Sequence, residues 1–465
     1  MQNALATLTL ALAALLFHPL LTLAADAPAT RPAALPADIR TAWEKAGAIS
    51  LFISPDGDWH NLADPQPGDI AAFEITDLKT GVIANLPPPS EEFAISILAL
   101  DVPDGGMRAL AGFGHLQGIY FSNVTLSDAA MKELGELNQL HTLLFQGTPV
   151  PEEGMQELSR LSHLETLDFG NSSVSDAGLR GLHGLTQLHT LRFSSNKVSD
   201  AGLAELGALK ELRELSADWT GEGTTGEGLI ALAGLPHLET LHCSMTDEGM
   251  KGLAVLKQVK SLDLSNNPIT DAGLGQLAAL TQLRELNLFR TQISDAGLKE
   301  LAVLPGLTSL NLQEDAITDD GLKDLAGLTH LQTLNLAGTR FTDVGVANLA
   351  GFKELRMLSL YGTGVTDASM KELGSMSQLE ALALGNTAVT DAGLKELKDL
   401  KQLRTLVLDG TAVTDAGMIE LTRLNLLQSL DVRRTAVTPA GAAALTDVIT
   451  GLQILHDEPA NAANR

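Results

Sequence analysis

Residues 270 to 288 read TDAGLGQLAALTQLRELNL. Leu274, Leu277 and Leu280 stand three apart and share one face of a short helix, whereas Leu286 and Leu288 stand two apart, the spacing of one face of a strand. The stretch therefore predicts a helix followed by a strand. Thr270 or Asp271 can cap the helix, because a side-chain oxygen accepts an orphan backbone N–H and a carboxylate suits the positive end of the helix dipole. Gly273 has no side chain, which lets neighbouring turns of chain approach closely.

The same pattern recurs down the chain, as in Ser294 to Leu298, Thr390 to Leu394 and Thr414 to Met418. Anchored on the Asp or its equivalent, the copies fall at 104, 128, 152, 176, 200, 226, 247, 271, 295, 319, 343, 367, 391, 415 and 439. The interval is 24 residues four times, then 26, then 21, then 24 eight times. One such unit leaves both of its faces wet. Stacking buries those faces and lets adjacent strands share parallel hydrogen bonds, so the array needs neighbours and end caps. At ~4.8 Å between strands, fifteen layers span about 70 Å. Helices are wider than strands, so the array is expected to curve with its strands on the inner side.

Motif, period and leucine columns together resemble the leucine-rich repeat family, in particular its secreted bacterial members built from T-D-A-G-L units. More distantly they resemble the repeats of F-box proteins and of ribonuclease inhibitor. The resemblance covers about residues 92 to 447. It implies an α/β solenoid, a leucine-rich-repeat horseshoe with parallel strands on the concave face and short helices on the convex face. It also implies that the chain binds another protein on that concave face and catalyses nothing.

The remaining segments divide as follows. From Ala4 to Ala25 no residue carries a formal charge apart from a protonated His18, and LATLTLALAALLFHPLLTLAA ends in small residues that suit signal peptidase. Residues 1–24 therefore read as a secretory signal, with an uncleaved anchor as the alternative, and 25–35 as an Ala/Pro linker. Once the signal is cut no membrane span is expected, and the mature chain is placed outside the cytoplasm, periplasmic or secreted. Residues 36–91 do not follow the period and read as an N-terminal capping unit. It has a helix near 37–46, strands around 49–53 and 71–75, a turn at Pro87, Pro88 and Pro89, and Trp43 and Trp59 covering the end of the core. Pro439 replaces the usual Asp, Val448 begins a C-terminal cap, and the tail within 448–465 is expected to be disordered.

Gly221, Gly223 and Gly226 spell G-x-G-x-x-G, the glycine spacing of a dinucleotide-binding turn. Here, however, Thr225 to Leu229 align as a degenerate copy of T-D-A-G-L, and Gly226 occupies the Asp column. The first two glycines belong to a two-residue insertion. No cofactor is expected; the loop from Trp219 to Thr225 reads instead as a projection at one edge of the array, either neutral drift or part of a binding surface.

The residue between the two strand leucines runs Leu144, Asp168, Arg192, Ser216, His242, Asp263, Asn287, Asn311, Asn335, Ser359, Ala383, Val407, Asp431. This column is small and polar and contains no catalytic grouping. Adjacent positions add Phe289, Tyr361, Arg433 and Arg434, with Arg290 and Trp219 just beyond. Aromatics and arginines dominate interface energetics, so these six are the candidate partner-binding residues. Catalytic, cofactor and metal residues are expected to be none. One carboxylate per layer, with layers nearly a helix diameter apart at ~10 Å, cannot converge on calcium, and His163, His237 and His330 lie one to a layer. No G-x-S-x-G, H-E-x-x-H or Walker loop occurs.

A formal charge of −26 opposes nucleic-acid binding and suits a basic or neutral protein or peptide ligand, with the chain itself a monomer. Cys243 is the sole cysteine, which excludes an internal disulfide; it stands in a column of leucine and phenylalanine and reads as a small buried hydrophobe. Two other functions compete with a plain binding scaffold. A substrate adapter of the F-box, ubiquitin-ligase type needs an F-box helix set, whereas 36–91 is strand-rich. A glycan-binding adhesin needs stacked aromatics, whereas Phe289 and Tyr361 are several layers apart.

Overall fold

The computed structural model describes residues 35–54, 59–60, 69–76, 83–99, 101–195, 197–219 and 225–457. Residues 1–34, read from the sequence as a signal and a linker, the loop 220–224 and the residues after 457 lie outside the described residues. The chain divides into two compact units, one within Leu23–Val259 and one within Lys260–Arg465.

In the first unit the helix Ala37–Lys45 leads into the strand Ile49–Ile53, which pairs antiparallel with Ile70–Ile75. From there the pairing turns parallel. Phe93–Leu98, Leu116–Ser122, Thr142–Gln146, Thr166–Phe169, Thr190–Ser195, Glu214–Trp219 and Thr240–Cys243 each add beside the strand before. Parallel neighbours require a crossover, which the helical half of each repeat supplies. The register sets Ile119 beside Leu143, then Leu167, Leu191, Leu215 and Leu241, all buried.

The first layer of a stack has no earlier layer to cover its apolar side, and aromatic rings fill that place. Trp43 is fully buried, stacks on Phe73 at 4.3 Å between centroids and meets Phe113 at 5.3 Å. Its Nε1–H donates to the Pro87 carbonyl at 3.0 Å, so the indole's one polar group is satisfied. Trp59 lies in the short strand Trp59–His60, and its side chain is outside the described residues. Cys243 is buried in line with Phe193 and Ala217, a packing position.

The second unit repeats one layer with little variation. Its strands Ser261–Asp263, Glu285–Asn287, Ser309–Asn311, Thr333–Asn335, Met357–Ser359, Ala381–Ala383, Thr405–Val407, Ser429–Asp431 and Gln453–Leu455 are parallel and in step. Their crossovers mix helix types. Asp271–Leu274 is α and Gly275–Ala279 is 3₁₀, while Gly321–Gly327 is 3₁₀ throughout. Leucines three apart eclipse on a 3₁₀ helix of three residues per turn, although Asp295–Leu301, with the same spacing, is α throughout.

Of the two caps expected in the T-D-A-G motif, the Thr serves its own helix and the Asp does not. Thr414 caps its helix, its Oγ1 accepting from Ala416 N–H at 3.2 Å. The carboxylates reach forward instead: Asp391 Oδ1 accepts Thr414 N–H at 2.8 Å and its Oδ2 accepts Thr414 Oγ1–H at 2.7 Å. The same pair of bonds links Asp271 to Ser294, Asp295 to Thr318, Asp319 to Thr342, Asp343 to Thr366, Asp367 to Thr390 and Asp415 to Thr438. In the first unit it links Asp176 to Ser199, while Asp200 takes both Thr225 donors on Oδ2 and Gly226 N–H on Oδ1. Layers are therefore joined at their helix N-termini by these bonds. The motif's Gly is required by this contact: a methyl on Gly417 would overlap Asp391 Oδ1 and stand 2.9 Å from Leu394 Cδ1. Pro439 ends the series at the last helix, Pro439–Thr446.

Candidate functional site

The residue between the strand leucines faces away from the leucine core, and its backbone consequence was not legible in the sequence. In five layers of the second unit this residue is Asp or Asn, and its Oδ1 accepts the N–H two residues on. The pairs are Asp263 with Ser265 at 2.8 Å, Asn287 with Phe289 at 3.1 Å, Asn311 with Gln313 at 3.0 Å, Asn335 with Ala337 at 3.0 Å and Asp431 with Arg433 at 3.1 Å. These are Asx turns. The next residue in each layer is left-handed: Asn266, Arg290, Glu314, Gly338, Gly362, Asn386, Gly410 and Arg434, with φ from 51° to 69°.

Left-handed backbone suits Gly and Asn and strains most other residues. Arg290, Glu314 and Arg434 all follow a layer whose strand residue makes the Asx turn. Where that residue is Ser359, Ala383 or Val407, the left-handed place goes to Gly362, Asn386 and Gly410. In the first unit Tyr120 and Leu144 are likewise followed by Asn123 and Gly147, although Ala99 after Ser96 is an exception.

The candidate residues fall at this turn edge in two groups. In the first, the Arg290 guanidinium carbon stands 5.0 Å from the centroid of the half-buried Phe289 ring, a cation–π contact, and its Nε–H donates to Glu314 Oε2 at 2.6 Å. Both charged partners are exposed. The second group begins three layers on, roughly 14 Å at ~4.8 Å per strand. Its centre is Tyr361, whose ring crosses Gly385, where a methyl would stand 2.6 Å from Tyr361 Cε2. Its hydroxyl donates to Asp409 Oδ2 at 3.3 Å and accepts from Arg434 Nη2–H at 3.1 Å and from Asn386 Nδ2–H.

Arg434 also pairs with the buried carboxylate of Asp409. Its guanidinium is held further in the charged form, first by the Asp409 hydrogen bond and then by Tyr361. Arg433 donates Nε–H to Asp431 Oδ1 at 2.9 Å, and that bond likewise raises its pKa above the ordinary arginine value. The structure thus brings Tyr361, Arg433 and Arg434 together, keeps Phe289 and Arg290 apart from them, and places Trp219 at a strand end with its side chain outside the described residues. Asn386, Asp409 and Asp431 belong to the second group and were not singled out from the sequence. Asp409 was visible as the one acid in the run Ser265, Phe289, Gln313, Ala337, Tyr361, Gly385, Asp409, Arg433.

The strand column itself needs one correction. It is half-buried and polar at Asp168, Arg192, Ser216 and His242, and at Asp263, Asn287 and Asn311. At Ala383 and Val407 it is instead an apolar cluster with Ala381, against which Met357 and Tyr361 pack. Leu144 likewise joins Leu51, Ile53, Ala72, Ala94 and Tyr120. The glycine triplet resolves as far as it is described: Asp200 accepts the N–H groups of Thr225 and Gly226, so Gly226 stands in the repeat's own interlayer contact, with φ 82°. Gly221, Gly223 and the rest of the loop 220–224 lie outside the described residues. Among the described residues no group of three His, Cys, Asp or Glu could hold a metal ion, and no helix is long and apolar enough to cross a membrane.

Stacked strand–turn–helix layers in register define a solenoid scaffold. The chain belongs to the leucine-rich repeat family, and residues 96–388 match its leucine-rich repeat region. Among solved structures it is similar to an internalin from Listeria monocytogenes at 21% identity, with 84% of this chain and 92% of that one covered and a TM-score of 0.46. A leucine-rich-repeat protein of Leptospira interrogans is 20% identical, with 74% and 91% covered and a TM-score of 0.49. The ectodomain of a plant membrane receptor kinase from Arabidopsis thaliana is 17% identical, with 79% and 50% covered and a TM-score of 0.35. No curated protein matches the chain in sequence.

Proposed function

We propose that this chain is an extracytoplasmic, non-catalytic scaffold of the secreted bacterial T-D-A-G-L type. It binds a protein or peptide through the strand face and the adjoining turn edge of its repeats. The observation that carries the reading is the placement of Arg290 beside Phe289. An arginine held at φ 54° in a position that five of the eight layers give to Gly or Asn costs on the order of 1–3 kcal/mol, and such strain concentrates at functional positions. The result is an exposed guanidinium lying on an aromatic ring, a pairing typical of interface centres. Tyr361 and Arg434 extend the same edge, already locked to each other and so needing little ordering on contact.

The test is capture of a ligand from the native extracytoplasmic extract by the mature chain, followed by its affinity for a Phe289→Ala/Arg290→Ala variant. At least a tenfold loss, about 1.4 kcal/mol, is expected. Unchanged affinity refutes the turn edge as the site. Because the chain carries a formal charge of −26, association with a basic ligand should also slow as salt is raised.

A further inference from the structure

One column of the second unit is a ladder of hydroxyls. Thr339, Thr363, Thr387 and Thr411 are buried, and each donates Oγ1–H to the carbonyl three residues back, Leu336, Leu360, Leu384 and Leu408, at 2.5 to 2.6 Å. Asp315 occupies this column between Thr291 and Thr339. Its turn has the same backbone, with Asp315 N–H donating to Leu312 O at 3.3 Å as Thr339 N–H donates to Leu336 O at 3.2 Å. Its Oδ1 accepts Thr291 N–H at 2.8 Å and Thr291 Oγ1–H at 3.0 Å. Its Oδ2 is buried and makes no hydrogen bond. A carboxylate cannot supply the donor that the four following layers use, whereas a carboxylic acid can.

We propose that Asp315 is a pH-sensitive joint beneath the Arg290–Glu314 edge. As the neutral acid its Oδ2–H donates to the Leu312 carbonyl and completes the ladder. On ionisation that bond is lost and the turn carrying Glu314 loosens, while the Thr291 bonds to Oδ1, which favour the anion, are kept. The charged side chains on the surrounding turns are Arg290 in the layer before, Glu314 in its own and Arg340 in the layer after. Arg290 and Glu314 pair with each other, Arg340 is exposed, and among the described residues none forms an ion pair with Asp315. Burial pushes the Asp315 carboxyl up to about 7, against the two hydrogen bonds from Thr291 that lower it. An acid whose folded value lies above its unfolded one stabilises the fold least when ionised. Stability is therefore lost as pH rises from about 4 to about 7, and levels off above.

The experiment is amide hydrogen exchange of the full chain at pH 5.5 and 8.0, corrected for intrinsic base catalysis, read over residues 312–316. Wild type should lose at least about tenfold more protection there than Asp315→Asn, since a carboxyl that titrates one pH unit above its ordinary range reflects a tenfold change in equilibrium. The asparagine keeps the acceptor for Thr291 and offers a permanent donor to Leu312 O. Equal pH dependence in both proteins overturns the proposal. Should Asp315→Asn fail to fold, Asp315→Thr restores the hydroxyl of the following layers and should exchange in this segment without pH dependence. Wild-type behaviour in that variant overturns the proposal equally. Neither outcome depends on what the edge binds.

Discussion

Replacing Gly417 with alanine should destabilise the second unit even though alanine is the better helix former. In a helix the exchange by itself would stabilise by about 0.5–1 kcal/mol. Opposing it, the new methyl would overlap Asp391 Oδ1 and stand 2.9 Å from Leu394 Cδ1 and 3.0 Å from Val413 Cγ1. The carboxylate has to swing away, losing its bonds to Thr414 N–H at 2.8 Å and Oγ1–H at 2.7 Å. Hydrogen bonds to a charged group contribute ~1.5–3 kcal/mol each, at the low end here because water can solvate the displaced carboxylate. The net is a loss of roughly 2–3 kcal/mol. In a stack that holds together through nearest-neighbour contacts, the loss should appear first as local opening of the layers around 391–417. Urea denaturation followed by circular dichroism, with hydrogen exchange over the same layers, measures both. An Asp391→Ala background decides the cause: there the alanine has lost its main obstacle, and the double-mutant cycle should show about 2 kcal/mol of coupling. A Gly417→Ala protein as stable as wild type, or more so, would refute the interlayer carboxylate as the reason for the glycine.

Trp43→Ala should cost about 3–5 kcal/mol, measured by denaturation of the first unit, because it empties a fully buried site and strips Phe73 of its stacking partner. Arg434→Ala leaves the buried Asp409 carboxylate without this cation and should destabilise by about 1–3 kcal/mol in thermal melts near neutral pH. Burial alone would raise Asp343, but hydrogen bonds from Ser369 and Thr366 hold it below the usual aspartate value, and those from Thr225, Gly228 and Gly226 do the same at Asp200. Their folded values lie below the unfolded ones. Their contribution is thus complete above about pH 4 and is lost as pH falls further, so Asp343→Asn should blunt the acid limb of the stability curve.

The leucine columns were legible because their spacing is a geometric necessity. Residues two apart share a strand face and residues three apart share the side of a tight helix, and the pairing of Leu262, Leu286 and Leu310 follows directly. What could not be read was the direction in which a polar side chain reaches. Asp271 next to Thr270 reads as a cap on its own helix, and only the folded stack shows its carboxylate holding Ser294 one layer on. The Asn run at 287, 311 and 335 was likewise read as exposed surface, whereas each amide oxygen first serves the turn that follows its strand. At the candidate site the sequence supplied Tyr361, Arg433 and Arg434 as separate surface residues. Their partners Asp409 and Asp431 lie two layers beyond Tyr361 and two residues before Arg433, and nothing in the period marks either as paired.

These local bonds bear on how such an array can carry recognition at all. A layer must turn sharply after its strand, and the turn requires one left-handed residue. Where that residue is Gly362 or Gly410 the turn is satisfied by the backbone alone and the edge carries no side chain. Where the strand residue is Asn287, Asn311 or Asp431, the Asx bond helps hold the turn, and the left-handed place accepts Arg290, Glu314 or Arg434. One polar substitution inside the strand thereby licenses a long charged side chain three residues later, without altering the leucine core or the Asp–Thr bonds at the other end of the layer. At Phe289 and Arg290 the side chains placed to meet a ligand are thus mechanically separate from those that keep the stack together, unlike Arg434, which neutralises the buried Asp409. For that reason Phe289→Ala/Arg290→Ala is expected to lower affinity while leaving the denaturation midpoint within the ~0.5 kcal/mol typical of surface substitutions. A comparable loss of stability in that variant would show that the edge belongs to the scaffold after all.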